Sequence, residues 1–127
     1  MKRRDLLLTA AVIAIGALPA AAQDGPIRLG MTVSSTGTFA LASQSGLRGL
    51  EIWLDDVNAR GGIEIGGKKR KLELVKLDDR SDKTVVPKVY ETLIKDEKVD
   101  LCFGPFGSTL TAAWRTFDLS VFFQGAV

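Results

Sequence analysis

Val99-Asp100-Leu101-Cys102-Phe103-Gly104-Pro105-Phe106-Gly107-Ser108-Thr109 runs from an apolar strand through a glycine-punctuated turn into a hydroxyl-bearing helix start. The first N–H groups of a helix lack intrahelical acceptors and carry partial positive charge, and glycine lets a ligand approach the backbone closely. The stretch is therefore read as a strand over Val99 to Gly104, a turn, and a helix beginning at Ser108 or Thr109. Such a junction suits a carboxylate or a phosphate.

Working outward, the same alternation of strand and helix recurs. Ile27 to Val33 alternates as a short strand and is followed by the loop Ser34-Ser35-Thr36-Gly37-Thr38-Phe39. A helix is expected from about Ala42 to Ala59, with Leu47, Leu50, Leu54 and Val57 on one face and Gly61-Gly62 closing it. Gly66-Gly67 reads as a tight turn into a strand over Lys69 to Leu77, and Asp78-Asp79-Arg80-Ser81-Asp82 as a solvated polar loop. The next helix begins near Thr84, with Thr84 or a near neighbour as N-cap, which keeps Pro87 in the first turn, and buries Val86, Val89, Tyr90, Leu93 and Ile94.

Strands alternating with helices imply right-handed crossovers, so the expected fold is α/β, a parallel βαβαβ sheet with helices on both faces. In the common order 2-1-3 the first and third strands are neighbours. The loops Ser34 to Phe39 and Pro105 to Thr109 then meet at the carboxyl end of the sheet and form a polar crevice. The Ser108 hydroxyl either donates to a ligand carboxylate there, assisted by Thr109, or only caps its own helix. The spacing does not choose between them.

Several chemistries are excluded or poorly supported. The chain has no histidine, so no Ser-His or Cys-His nucleophile can be assembled, and no catalytic residue is assigned. Asp78, Asp79 and Asp82 do not have the spacing of a calcium loop, and no metal or cofactor is expected. Gly30-Met31-Thr32-Val33-Ser34 lacks the glycine pattern of a dinucleotide site. The basic run Lys68-Lys69-Arg70-Lys71 has no interleaved aromatics and reads as a solvated hairpin-like edge, so nucleic acid is not an expected partner. Cys102 is the single cysteine; it rules out an internal disulfide and is expected as a buried, inert thiol.

The 127 residues are 46% hydrophobic and 25% charged, which suits one globular domain. Lys2, Arg3 and Arg4 precede an apolar run from Leu6 to Leu18, then Pro19 and three alanines, the layout of a secretory signal peptide over residues 1–22 cleaved after about Ala22. Arg3-Arg4 leaves the twin-arginine and general export routes both open. Three of the 17 basic residues and one of the 15 acidic ones fall in this leader, so the remainder is electrically neutral. The apolar run is too short to span a bilayer comfortably, and no membrane-spanning segment is expected after its removal.

The ordered set of motifs carries a resemblance. Ser35-Thr36-Gly37, Asn58-Ala59-Arg60-Gly61-Gly62-Ile63 with Gly66-Gly67, Asp78-Asp79, Tyr90 with Leu93-Ile94, Lys98-Val99 and Gly104-Pro105-Phe106-Gly107-Ser108 stand as they do in one family. From Ile27 to about Ala113 the chain resembles the N-terminal part of the periplasmic leucine/isoleucine/valine-binding proteins, solute-binding subunits of branched-chain amino acid ABC transporters. The resemblance implies part of lobe 1 of a type I periplasmic binding fold. It also implies a ligand that is an amino acid or related small carboxylate or amide, a periplasmic location, and a membrane permease as partner of the full-length protein. By the same resemblance Ser108 binds the ligand carboxylate, and Gly107, Thr109, Thr36 and Gly37 belong to the same wall.

Residues 114–127 depart from the pattern, because the run from Trp114-Arg115-Thr116-Phe117 to Phe123 fits neither the expected helix nor the next strand. A frameshift or truncated gene, leaving residues 23–113 as a partial lobe of doubtful activity, is the expectation. A receptor ectodomain fragment and an interaction module pairing through an open sheet edge are the alternatives. The second and third strands are expected as exposed edges.

Overall fold

In the computed structural model residues 25–115 are described; the expected leader and the tail from 116 to 127 lie outside them. The first strand, β1 (Ile27–Val33), is followed by α1 (Ala40–Ala59), the short strands β2 (Ile63–Ile65) and β3 (Lys68–Arg70), and β4 (Leu72–Asp78). Then come α2 (Val86–Lys95), β5 (Leu101–Cys102) and α3 (Ser108–Arg115). The three-stranded sheet has the order β4-β1-β5. All its pairs are parallel, with Ile27 opposite Leu72, Val33 opposite Asp78, and Leu29 opposite Leu101. The expected 2-1-3 order is therefore present, with β4 and β5 as its edges among the described residues.

The sheet is covered on both faces because its alternation is apolar on both. On one face Ile27, Leu29 and Leu72 pack with Val57 of α1, and Leu54 and Leu74 join them. On the other, Val86, Tyr90 and Leu93 of α2 pack with Val99 and with Leu110 of α3, against Val75 and Leu77. The spacing Val86, Tyr90, Leu93 is one helical stripe, and all three side chains are fully buried. Val89 and Ile94 flank that stripe and are only half-buried.

Four boundaries differ from the sequence reading, each for a local reason. First, α1 starts at Ala40, two residues early, because the Gly37 turn already supplies its carbonyl to the Ala40 N–H at 3.2 Å. The strand expected over Lys69 to Leu77 is instead two strands. Lys68–Arg70 turns back antiparallel on Ile63–Ile65 across Gly66 (φ 59) and Gly67 (φ 79), the left-handed pair a two-residue hairpin requires. The basic run does lie on this exposed hairpin. After it, Asn58 pins the start of β4 by accepting from the Leu72 N–H and donating to the Leu72 carbonyl, both at 2.8 Å.

The third difference is the cap of α2. The N-cap is Val85, the neighbour of Thr84, and it makes no side-chain cap bond; Asp82 accepts from the Thr84 N–H at 2.8 Å and its hydroxyl at 2.7 Å, and the Asp82 carbonyl takes the N–H of Val85 and Val86. The Thr84 hydroxyl, engaged by the Asp82 carboxylate, is not available to cap the helix. Pro87 does sit in the first turn. Fourth, the third strand is shorter than Val99 to Gly104. Val99 leans into the space that Gly30 leaves, where a Cβ on Gly30 would come within 2.8 Å of it, and regular pairing holds only at Leu101 and Cys102.

Among the described residues Leu101 and Phe103 are exposed at β5. Trp114 and Arg115, read from sequence as part of the atypical tail, are the last residues of α3. The Trp114 ring lies 5.2 Å from that of Tyr90, so this aromatic closes the core beyond Leu110.

Candidate functional site

The carboxyl ends of β1 and β5 open into the loops 34–39 and 105–107, and the starts of α1 and α3 follow them. The two loops are brought together by aromatic contact: the rings of Phe39 and Phe106 are 6.2 Å apart and tilted by 53°. Thr36, Gly37, Gly107, Ser108 and Thr109 are all exposed at this end of the sheet. Phe39 and Phe106, to which the sequence reading gave no role, are what join its two halves.

At the β5 side, Gly107 takes φ 79, a left-handed conformation natural to glycine, and turns the chain into α3. Thr111 then anchors the turn, with its N–H on the Gly107 carbonyl at 3.1 Å and its hydroxyl on the same carbonyl at 2.8 Å. The N–H groups of Ser108 and Thr109 precede that first helical bond. Among the described residues no group hydrogen-bonds to the Ser108 hydroxyl, so it is not spent on capping its own helix. Leu110 is fully buried and fixes this first turn to the core.

At the β1 side, the loop is built from outside itself, by the loop after β4. Asp78 accepts from the Ser35 N–H at 2.9 Å, the Arg80 N–H at 2.8 Å and the Thr36 hydroxyl at 3.4 Å. Ser81 donates its hydroxyl to the Thr36 carbonyl at 2.6 Å and accepts the Phe39 N–H at 3.1 Å. Gly37 (φ 82) lies so close that a Cβ on it would stand 2.7 Å from the Arg80 carbonyl oxygen. Asp79 is fully buried and accepts from the Ser34 hydroxyl at 2.7 Å and the Ser81 N–H at 2.9 Å.

The reading of Asp78 to Asp82 as a merely solvated loop is thus corrected. A signal for it was present, since the period-2 face that carries Val75 and Leu77 into the core continues to residue 79. No group of three or more metal-ligating side chains is found among the described residues. Partial desolvation raises the Asp78 carboxyl, but the N–H bonds from Arg80 and Ser35, the Thr36 hydroxyl and the Arg80 charge together hold it below its ordinary value of 3.8. A depressed folded pKa contributes stability above the unfolded value and loses it as pH falls through the folded one. Stability of the loop should therefore drop below about pH 4. Acid titration followed at the Ser35 amide checks this, and D78N should flatten that part of the curve.

Beneath the site, Tyr90 donates its hydroxyl to the Phe103 carbonyl at 2.5 Å, tying α2 to the strand that leads into the turn. Burial pushes its phenol well above the ordinary range, so it stays a neutral donor. Cys102 is half-buried rather than buried, and burial still pushes its thiol up to about 11, which keeps it protonated at neutral pH. No described helix is long and apolar enough to cross a membrane.

The carboxyl ends of the parallel strands thus bring exposed hydroxyls and a helix start to one end of an α/β sheet, the end at which open α/β folds place their ligand sites. The periplasmic binding protein family profile matches residues 26–117, and the chain belongs to that family. A Leu/Ile/Val-binding protein homolog of Brucella abortus is 32% identical over 108 residues, covering 85% of this chain and 25% of its own length.

Among solved structures, a branched-chain amino acid transporter substrate-binding protein of Streptococcus pneumoniae, in complex with isoleucine, superposes with a TM-score of 0.64. It is 26% identical, over 80% of this chain and 27% of that one. A solute-binding protein of an R. palustris ABC transporter, in complex with benzoate, has a TM-score of 0.58 and 31% identity, over 71% of this chain and 23% of that one. The chain spans about a quarter of the length of the curated relatives it matches. The fold expectation of a parallel sheet with flanking helices from a type I periplasmic binding protein holds.

Proposed function

We infer that this chain carries one wall of a carboxylate-binding site in the solute-binding component of an ABC transporter for branched-chain amino acids or related small carboxylates. The exposed, unpartnered Ser108 hydroxyl at the start of α3 carries the reading. It is poised to donate to a carboxylate together with the free N–H groups of the same turn. Isoleucine and benzoate, the molecules bound in two similar structures, share only a carboxylate, which is the group such a wall would grip. Thr36, Gly37, Gly107 and Thr109 complete the wall. A periplasmic location, export by residues 1–22 and a membrane permease as partner belong to the same family reading.

Affinity for this chain should be weak. Two or three hydrogen bonds to a charged group, at about 1.5–3 kcal/mol each, are offset by association and ordering costs and leave roughly millimolar binding. Titration of the chain with isoleucine, benzoate and isoleucine amide, followed by amide chemical shifts, tests it. Both carboxylates should shift Ser108 and Thr109 and the amide should not. Ser108→Ala should weaken the carboxylates by about tenfold or more at nearly unchanged stability. Equal binding of acid and amide, or an unaffected S108A variant, would sink the reading.

A further inference from the structure

We propose that Asp79, on the loop after β4, is the positioning residue for the ligand wall formed by Thr36 and Gly37; this rests on the carboxylate-binding reading above. The backbone at Arg80 (φ 56) and Ser81 (φ 58) is left-handed in two consecutive residues that are not glycine, a conformation L side chains disfavour. Strained backbone persists only where its surroundings over-determine it. Here the Asp78 carboxylate takes the Arg80 N–H, and the buried Asp79 carboxylate holds the second residue, Ser81. Asp79 Oδ1 takes the Ser81 N–H at 2.9 Å and the Ser34 hydroxyl at 2.7 Å, so it joins the end of β1 to the strained turn.

The consequence is geometric. Because residue 81 is left-handed, its hydroxyl reaches the neighbouring loop and bridges the Thr36 carbonyl and the Phe39 N–H. It thereby spans both sides of Gly37, whose open Cα lets the two loops touch. Phe39 in turn meets Phe106 across the crevice. A chain of contacts thus runs from Asp79 through Ser81, Thr36 and Phe39 to the turn that presents Ser108. Asp79 itself is fully buried and touches no ligand; its second oxygen, Oδ2, has no hydrogen-bond partner among the described residues. An amide at this position would keep the one oxygen that is used.

The test compares the full chain with its D79N, D79A and S81A variants, by amide hydrogen exchange and by titration with isoleucine and benzoate. D79N should retain slow exchange at the Ser81 and Phe39 amides and bind both probes with nearly unchanged affinity. D79A should exchange about tenfold faster at those two amides while Leu29 and Leu74 in the sheet keep their protection, and should lose about tenfold in affinity. Should D79A unfold altogether, S81A serves in its place, freeing Phe39 alone with the sheet intact.

Retained protection and affinity in D79A, or in S81A where D79A unfolds, overturns the proposal. So does a D79N variant as damaged as D79A. If the unsubstituted chain binds neither probe, the carboxylate-binding reading fails. The positioning role for a ligand falls with it, and the exchange data then report only whether Asp79 holds the loop.

Discussion

Gly37→Ala should lower the melting temperature of this chain by roughly 10–20 °C and remove the ordered loop that joins β1 to α1. Two costs add. A residue with a side chain is disfavoured by about 1–2 kcal/mol in the left-handed region that Gly37 occupies at φ 82. Its Cβ would also stand 2.7 Å from the Arg80 carbonyl oxygen and 2.8 Å from the Ser81 side chain, so one loop must back away from the other, for about 1–3 kcal/mol more. Arg80 and Ser81 cannot yield cheaply, since Asp78 and Asp79 hold their N–H groups. Thermal unfolding with and without G37A measures the sum. A shift of under about 3 °C would mean that the two loops are not in contact in solution.

Leu110→Ala is expected to cost about 2–5 kcal/mol and to free the start of α3 from the sheet. Leu110 is the one fully buried residue of an eight-residue helix, packed among Val86, Tyr90, Leu93 and Val99. A helix this short is not stable alone and depends on that anchor and on Trp114 stacked over Tyr90. Denaturant unfolding should record the loss. Hydrogen exchange should place it at Thr111 and its neighbours, and any carboxylate response at Ser108 should vanish with it. As a control, Thr109→Ala on the exposed side of the same turn should stay within about 0.5 kcal/mol. Equal effects of the two substitutions would show that α3 is not held by its core residue.

Much of this architecture was legible because periodicity and turn residues act locally. The stripe Val86, Tyr90, Leu93 and the double glycines at 61–62 and 66–67 announce their elements without reference to anything distant. So does the start of α3 at Ser108. Differences arise where another side chain competes with the expected local preference. Thr84 has the right chemistry for a cap, but its hydroxyl is held by the Asp82 carboxylate and its neighbour Val85 stands at the cap without a side-chain bond. The run Lys69 to Leu77 has uninterrupted strand character, yet it is divided by a hairpin on one side and by the Asn58 amide on the other.

The site divides in the same way. Composition and spacing alone placed an anion-favouring turn at Gly107-Ser108-Thr109 and a hydroxyl loop at Ser34 to Phe39, because helix starts and glycine turns are properties of short segments. They could not show that Asp78, Asp79 and Ser81, more than forty residues on, build that loop, or that Phe39 and Phe106 close it. Those contacts exist only once β1 and β4 lie side by side in register, which brings Val33 opposite Asp78. Sequence by itself determined the order of elements and the chemistry at each strand end. The tertiary structure decided which strand ends share an edge, and so turned an aspartate that reads as a solvated loop residue into the buried acceptor beneath the loop after β1.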